Sequence, residues 1–166
     1  MADALIGLGG NLGDVEATFR DALARLEAGG CRIVATSSIW MTPPWGVTDQ
    51  PAFLNACLRV ESELTARALL DLCLATETAL GRVRDQKWGP RTLDLDVLDV
   101  DGRSVVEPGL TLPHPWISER AFVLIPLAEI VPDRPIGGRT VAEMAKAIDA
   151  GGMARIGPLP MPRASV

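Results

Sequence analysis

Hydrophobic residues along the chain follow two periods, and the change from one to the other predicts a mixed fold. Ala4–Leu8 is a short apolar run typical of a strand, and the glycines at 9–10 predict a turn after it. The segment 15–26 repeats apolar residues at helical spacing after Asp14, a residue type that caps helices. The glycines at 29–30 end that pattern, so the chain opens with a strand followed by a helix.

The next segments predict two more strands and a second helix. Cys31–Met41 reads as one strand, and the proline-rich loop 42–51 cannot be helical. Ala52–Leu64 alternates strictly, with Asn55 on its polar face, where its side chain is available for recognition. Thr65 then caps a helix that carries one carboxylate near its buried side.

The second half of the chain continues with a strand over residues 93–100. Asp101-Gly102 predicts a hairpin turn into Ser104–Glu107, and Pro126 predicts the start of a short helix. Thr140 and Glu143 form a capping box for a last helix that the glycines at 151–152 would close. Residues 153–166, with three prolines, are predicted to be an irregular tail.

This order of elements predicts the fold class. The pattern βαββαβ, with links of the hairpin type, is typical of an antiparallel sheet with helices packed on one face. We therefore predict an α+β sandwich of the ferredoxin-like kind. Residues 1–166 form one domain in this interpretation, because no repeat, linker or second core is visible and 166 residues suffice for a real core.

Composition narrows the possible partners. A net charge of −5 disfavours nucleic acid, whose phosphates require a broad basic surface. No signal-peptide pattern and no membrane-length apolar run is visible, and three cysteines without a CxxC motif suit a reducing compartment. We therefore expect a cytoplasmic protein without nucleic-acid or membrane association, and we further expect it to be a monomer. A single histidine rules out a His-rich zinc site.

The segment Gly81–Val100, GRVRDQKWGPRTLDLDVLDV, carries the strongest chemical signal. On its strand, Asp94, Asp96 and Leu98 share one face, and the two carboxylates are attached roughly 7 Å apart. Mg²⁺ suits such a pair, because it takes a few carboxylates together with waters and substrate phosphates. The alternative is an ordinary strand with a solvated acidic face.

Four cations precede these carboxylates, at Arg82, Arg84, Lys87 and Arg91. They occupy a segment bounded by Gly81 and the Gly-Pro pair at 89–90, with Trp88 as its main apolar residue. Such a loop could close over phosphates and stack on a ring. The alternative is a solvated surface loop that happens to be rich in arginine.

Four segments together resemble a known family. GLGGNLGD, TPPWGVTDQPAFLNA, GRVRDQKWGPRTLDLDVL and LPHPWISERAFVLIPLAEIVPD occur in this order across Leu5–Asp133. They resemble the 6-hydroxymethyl-7,8-dihydropterin pyrophosphokinases of folate biosynthesis. The resemblance implies transfer of pyrophosphate from MgATP to a pterin hydroxymethyl group, with AMP released and two Mg²⁺ ions required.

The resemblance also implies roles for single residues. It makes Asp94 and Asp96 the ligands of both metal ions. The resemblance assigns the phosphate contacts to four basic residues: the catalytic Arg82 and Arg91, and the nucleotide-binding His114 and Arg120. Further nucleotide contacts fall to Arg84, Trp88, Leu98 and Thr111. It assigns the pterin pocket to Thr42, Pro43, Trp45, Phe53, Asn55 and Phe122. Asn11 and Glu77 match family positions as supports of the loops.

Two other classes of protein stay open at this point. A non-catalytic pterin- or nucleotide-binding module could share the fold, and metal-dependent release of AMP would exclude it. A ferredoxin-like RNA-binding module is disfavoured by the acidic composition and by the lack of paired aromatic residues on a strand.

Overall fold

The structure is a computed structural model that describes residues 1–43, 49, 51–81 and 92–160. The strands are β1 (Ala2–Gly10), β2 (Cys31–Thr36), β3 (Ser38–Thr42), β4 (Phe53–Ser62), β5 (Asp94–Val100), β6 (Val105–Glu107), β7 (Leu110–Leu112), β8 (Pro135–Ile136), β9 (Arg139–Thr140) and β10 (Ala154–Pro158). The helices are α1 (Val15–Ala28), α2 (Ala66–Ala79), α3 (Ala121–Ile130) and α4 (Val141–Ala147), with a 3₁₀ turn at Ile117–Glu119.

One antiparallel sheet organises these elements. Its strand order is β10-β3-β4-β1-β5, and β2 pairs with the remaining part of β4. If β2 and β3 are counted together, this is the ferredoxin-like order expected for βαββαβ. The predicted α+β fold is therefore confirmed.

Local signals at the helix starts are also confirmed. The Asp14 carboxylate accepts a hydrogen bond from the amide of Ala17 at 3.1 Å, and the Thr65 hydroxyl accepts one from Ala68 at 3.1 Å. At α4, the Thr140 hydroxyl accepts from the amide of Glu143 at 3.1 Å. Each cap satisfies an amide that would otherwise lack a partner in the first helical turn.

Helices cover both faces of the sheet, so the prediction that they share one face is wrong. Ile6 belongs to a core that α1 and α2 close, whereas its neighbour Leu5 belongs to a core that α3 and α4 close. A strand that is buried on both sides reads as a continuous apolar run, which is the pattern of Ala4–Leu8. The structure adds that β1 continues through the predicted turn to Gly10.

The predicted single strand Cys31–Met41 is divided at Ser37. The Ser37 hydroxyl accepts from the amide of Cys57 at 2.8 Å, and the Ser37 amide donates to the Cys57 carbonyl at 2.9 Å. The serine side chain thus takes a position in the hydrogen-bond ladder, which interrupts the strand. As a result, β2 and β3 pair with different parts of β4.

Four other predictions about the C-terminal half are wrong. The turn at 101–102 exists, but β6 pairs with β7 and not with β5. Pro126 lies inside α3, which begins five residues earlier, and α4 ends at Ala147, before the glycines at 151–152. The predicted irregular tail contains β10, which pairs with β3; residues 161–166 lie outside the described part.

No helix in the described part of the chain is long and apolar enough to cross a membrane. The three cysteines are buried and unpaired.

Candidate active site

The register of three strands brings the predicted site residues into rows. Gly9 on β1 lies opposite Asn55 on β4 and opposite Asp94 on β5. Gly7 in the same way lies between Cys57 and Asp96. Directly opposed residues project on the same face, and two interstrand spacings separate the Cα atoms of Asn55 and Asp94 by roughly 10 Å.

Glycines leave the middle of these rows without side chains. A Cβ atom built on Gly9 would lie 3.0 Å from the Asn55 Oδ1 atom, and one on Gly7 would lie 3.6 Å from Leu98. The space above Gly9 therefore forms a trough between Asn55 and Asp94, whereas Gly7 is buried and covered by Leu98. Neither glycine was predicted from the sequence as a site residue, although glycine inside a strand is a known signal of a close approach.

The residues predicted to bind the pterin gather at one end of the trough. Asn55 is 6 % exposed, and its Nδ2 atom donates to the Thr42 hydroxyl at 2.8 Å. Thr42 lies opposite Phe53, so both residues share the face of Asn55. Pro43 follows directly, and Phe122 lies in the first turn of α3. This end therefore combines the Phe53 ring with an amide fixed by a hydroxyl, and α3, which carries Phe122, packs against the same strand β4.

The carboxylates lie at the other end, on the edge strand β5. Asp94 and Asp96 are partly exposed on either side of the buried Leu95. The Asp96 Oδ2 atom lies 4.0 Å from Nη1 of Arg120, and the Arg120 guanidinium lies 5.5 Å from the ring centroid of Phe122. Arg120 thus lies between Asp96, which it approaches by charge, and Phe122, which it contacts by a cation–π interaction.

Glu77 ties the carboxylate strand to α2. Its Oε2 atom accepts a hydrogen bond of 2.7 Å from the amide of Leu95, the residue between the two aspartates, and the side chain is 3 % exposed. The predicted position of this carboxylate near the buried side of the helix is confirmed. Because it holds the backbone between Asp94 and Asp96, Glu77 fixes where both carboxylates project.

His114 lies beside Asp96 and is held in place by two backbone groups. Its amide donates to the Leu98 carbonyl at 2.8 Å, and its Nδ1 atom accepts from the amide of Trp116 at 3.2 Å. Burial lowers the pKa of His114; the Asp96 carboxylate opposes this shift, and Arg120 adds to it. With Nδ1 acting as an acceptor, the ring proton is on Nε2, which can donate to a ligand.

A cavity of about 270 Å³ adjoins the carboxylates. Asp96, Thr111 and His114 line it together with Leu70 and Gly109. Two residues predicted to bind the nucleotide, Thr111 and His114, therefore share one space. The cavity opens beside β5, next to the predicted metal ligands.

The remaining predicted residues have different positions. The Leu98 side chain is 1 % exposed within the core beneath α3, so any contact with a nucleotide must come from its backbone. Five predicted residues lie outside the described part of the chain: Trp45, Arg82, Arg84, Trp88 and Arg91.

Comparison with known proteins decides the family. Residues 5–132 match the family described as 7,8-dihydro-6-hydroxymethylpterin-pyrophosphokinase, abbreviated HPPK. The chain belongs to the HPPK family. It is 50 % identical over 157 residues to the 2-amino-4-hydroxy-6-hydroxymethyldihydropteridine pyrophosphokinase of Methylorubrum extorquens, covering 94 % of this chain and 99 % of that protein. It is 39 % identical over 153 residues to the protein of that name from Pseudomonas aeruginosa, covering 91 % and 94 %.

Solved structures support the HPPK fold. A crystal structure of HPPK-DHPS in complex with substrates superposes with a TM-score of 0.68 at 12 % identity, over 88 % of this chain and 43 % of that one. A Plasmodium falciparum HPPK-DHPS A437G structure gives a TM-score of 0.71 at 12 % identity, over 88 % and 45 %. The chain thus spans less than half of these longer proteins, and the likeness concerns the fold.

The HPPK chain offers two carboxylates for a metal ion. Among the described residues, no group of three or more His, Cys, Asp or Glu side chains could hold a metal on its own. Asp94 and Asp96 nevertheless fit Mg²⁺, because this ion is commonly bound by one or two carboxylates and completes its octahedron with waters and substrate phosphates.

Proposed function

We propose that this HPPK chain transfers pyrophosphate from MgATP to the hydroxymethyl group of 6-hydroxymethyl-7,8-dihydropterin, giving the pterin diphosphate and AMP. The trough with the glycine floor carries the proposal. It joins an amide-and-aromatic end, suited to a flat heterocycle, to an end with two carboxylates, suited to a metal-bound phosphate chain.

The nucleotide occupies the cavity beside β5 in this proposal. Thr111 and His114 contact it there, and its phosphates extend toward Asp94 and Asp96. Mg²⁺ bound at these two aspartates, with two ions expected, would neutralise charge on the triphosphate. Arg82, Arg84, Trp88 and Arg91 are proposed to complete the phosphate and nucleotide contacts.

The pterin occupies the opposite end. Asn55 hydrogen-bonds to its polar edge, and Phe53, Phe122, Pro43 and Trp45 are proposed to surround its rings. The hydroxymethyl group then points along the trough toward the phosphates. Because Thr42 holds the Asn55 amide at 2.8 Å, the recognition atoms are preorganised.

The reaction joins the pterin hydroxyl oxygen to the β-phosphorus. The bond from the β-phosphorus to the oxygen that bridges it to the α-phosphate breaks, and AMP leaves with that electron pair. None of Thr42, Asn55, Phe53 and Phe122 can act as a strong base, so the hydroxyl proton is lost to solvent. The site therefore relies on alignment and on cationic groups such as Arg120, as phosphoryl transfer generally does.

Identification of the nucleotide product tests this proposal. The protein is incubated with ATP, Mg²⁺ and the reduced pterin, and nucleotides are separated by anion exchange. We expect AMP in equal amount to the pterin diphosphate, and none when pterin or Mg²⁺ is omitted. ADP as the main product would contradict the chemistry, and binding of both ligands without turnover would favour the non-catalytic module.

We further propose a cytoplasmic monomer that binds neither nucleic acid nor membranes. The net charge of −5 argues against nucleic acid as a partner, and the three buried, unpaired cysteines fit a reducing compartment. Light scattering after size-exclusion chromatography measures the mass against the 17.7 kDa of the chain. A stable mass of twice that value would contradict the monomer.

A further inference from the structure

The C-terminal strand lies beyond residues 5–132, which match the family, yet it is built into the pterin end of the site. β10 pairs antiparallel with β3, with Ala154 opposite Met41 and Arg155 opposite Trp40. β3 ends at Thr42, whose hydroxyl holds Asn55. A change in β10 therefore acts on the strand that carries the pterin contacts.

A chain of hydrogen bonds connects β10 through β3 to α3. The Nε atom of Arg155 donates to the Ser38 hydroxyl at 2.7 Å, and that hydroxyl donates to Oε2 of Glu129 at 2.8 Å. The Oε1 atom of Glu129 also accepts from the Ser38 amide at 3.1 Å and from Nε1 of Trp40 at 2.6 Å. One carboxylate on α3 is thus held by three donors on β3.

Glu129 links this network to the aromatic wall. It follows Phe122 by seven residues on α3, so the two side chains share one side of the helix. A carboxylate near the C-terminal end of a helix is disfavoured by the helix dipole, and the three donors offset that cost. The network therefore fixes the spacing between β3, which carries Thr42, and α3, which carries Phe122.

A second contact reaches the pterin end independently. Gly152 has φ of +81°, and a Cβ atom built on it would lie 2.9 Å from Cγ of Pro43. The backbone of the turn before β10 is therefore packed against Pro43, the residue that follows β3. Only a glycine combines this close approach with this backbone conformation.

We infer that the segment Gly151–Pro158, the C-terminal brace, is a positioning element for the acceptor end of the site. It acts through Ser38 and Pro43 to hold the Thr42–Asn55 pair at its distance from Phe122. The inference rests on the proposed function, because it assigns the acceptor to that end. The inference adds that residues outside the family match at 5–132 influence the affinity for the pterin, which is the acceptor, and do not influence the affinity for the nucleotide.

Steady-state kinetics of Arg155→Ala test the role of the C-terminal brace, and Arg32→Ala is the control variant. Arg32 makes a surface ion pair of 2.7 Å with Glu61 on β4, distant from the pterin end, so its loss controls for removal of an exposed arginine contact. We expect Arg155→Ala to raise the KM for the pterin about tenfold while the KM for ATP stays unchanged. Arg32→Ala should leave both values unchanged, and Arg155→Lys should recover part of the loss.

A glycine pair gives a second test. Gly152→Ala should raise the KM for the pterin, whereas Gly137→Ala should not, because Gly137 has φ of +62° but no atom within 4 Å of a built Cβ. Both variants carry the same kind of backbone strain, so only the contact with Pro43 distinguishes them. This pair decides the question if Arg155→Ala does not fold.

The outcomes separate the two proposals. If the wild-type protein forms no AMP, the proposed function fails. If the wild-type protein is active and Arg155→Ala matches Arg32→Ala in the KM for the pterin, the brace is refuted. Equal increases of both KM values, together with a lower melting temperature, would also refute it, since they show general destabilisation.

Discussion

Replacement of Gly9 by alanine tests the geometry of the trough most directly. The added methyl group would lie 3.0 Å from the Asn55 Oδ1 atom, closer than carbon and oxygen normally approach. Asn55 cannot move away easily, because it is 6 % exposed and its Nδ2 atom is bound to Thr42 at 2.8 Å. The methyl group must therefore shift either β1 or the recognition amide.

The size of the effect follows from these contacts. Overpacking of a well-packed position costs about 1–3 kcal/mol, and loss of the Asn55–Thr42 hydrogen bond costs about 1 kcal/mol. If pterin binding requires Asn55 in its present position, affinity for the pterin falls by between about fivefold and about 150-fold. The nucleotide cavity lies on the far side of β5, so affinity for ATP should not change.

Calorimetric titration with 6-hydroxymethylpterin, in the presence of Mg²⁺ and a non-hydrolysable ATP analogue, measures this loss. Gly7→Ala is the matched control, since it adds the same methyl group to the same strand and face at an ordinary 3.6 Å from Leu98. Thermal unfolding of both variants shows how much of the cost appears as lost stability. Equal pterin affinity in the two variants would refute the assignment of Asn55 to the acceptor end.

Three further predictions follow. Asp94→Ala and Asp96→Ala should each abolish transfer while the melting temperature shifts by less than about 2 °C, because both side chains are partly exposed; near-normal turnover in both variants at ordinary Mg²⁺ would contradict the metal assignment. His114→Ala should raise the KM for ATP and slow transfer without abolishing it, and complete loss with ATP binding intact would show that its role is misassigned. Burial raises the pKa of Asp99, and the Gly102 amide and Arg134 oppose this shift. The protonated Asp99 side chain therefore stabilises the fold fully below pH 3.8, its ordinary pKa, and this stabilisation is lost as the pH rises through the raised pKa. Asp99→Asn should therefore melt at a higher temperature than the wild type at pH 7, with the advantage shrinking toward pH 4, and a lower melting temperature at pH 7 would contradict this sign.

Features that depend on neighbouring residues could be predicted from the sequence. The caps at Asp14, Thr65 and Thr140 were predicted because each bonds an amide three residues away. The alternation of Asp94 and Asp96 was predicted for the same reason, since strand periodicity is local.

Features that depend on distant partners could not be predicted. Arg120 provides no side-chain cap, so the true start of α3 carries no local signal, and Pro126 falsely suggested a start because proline favours first turns. The sequence ARIGP becomes β10 only because β3 offers a free edge. The strand register determines which residues of β4 and β5 lie opposite Gly9. That register depends on pairing between residues far apart in the sequence.

Because β1 lies between the strands that carry the two ends of the trough, the sheet sets the distance between the pterin end and the carboxylate end. The Cα atoms of Asn55 and Asp94 are separated by two interstrand spacings, which backbone hydrogen bonds hold nearly constant. Loop substitutions can therefore change how tightly an acceptor binds, but not how far its hydroxyl must reach. A shift of β1 by one residue would leave that spacing unchanged, but it would bring Leu8 or Gly10, both residues of the opposite face, into the position of Gly9.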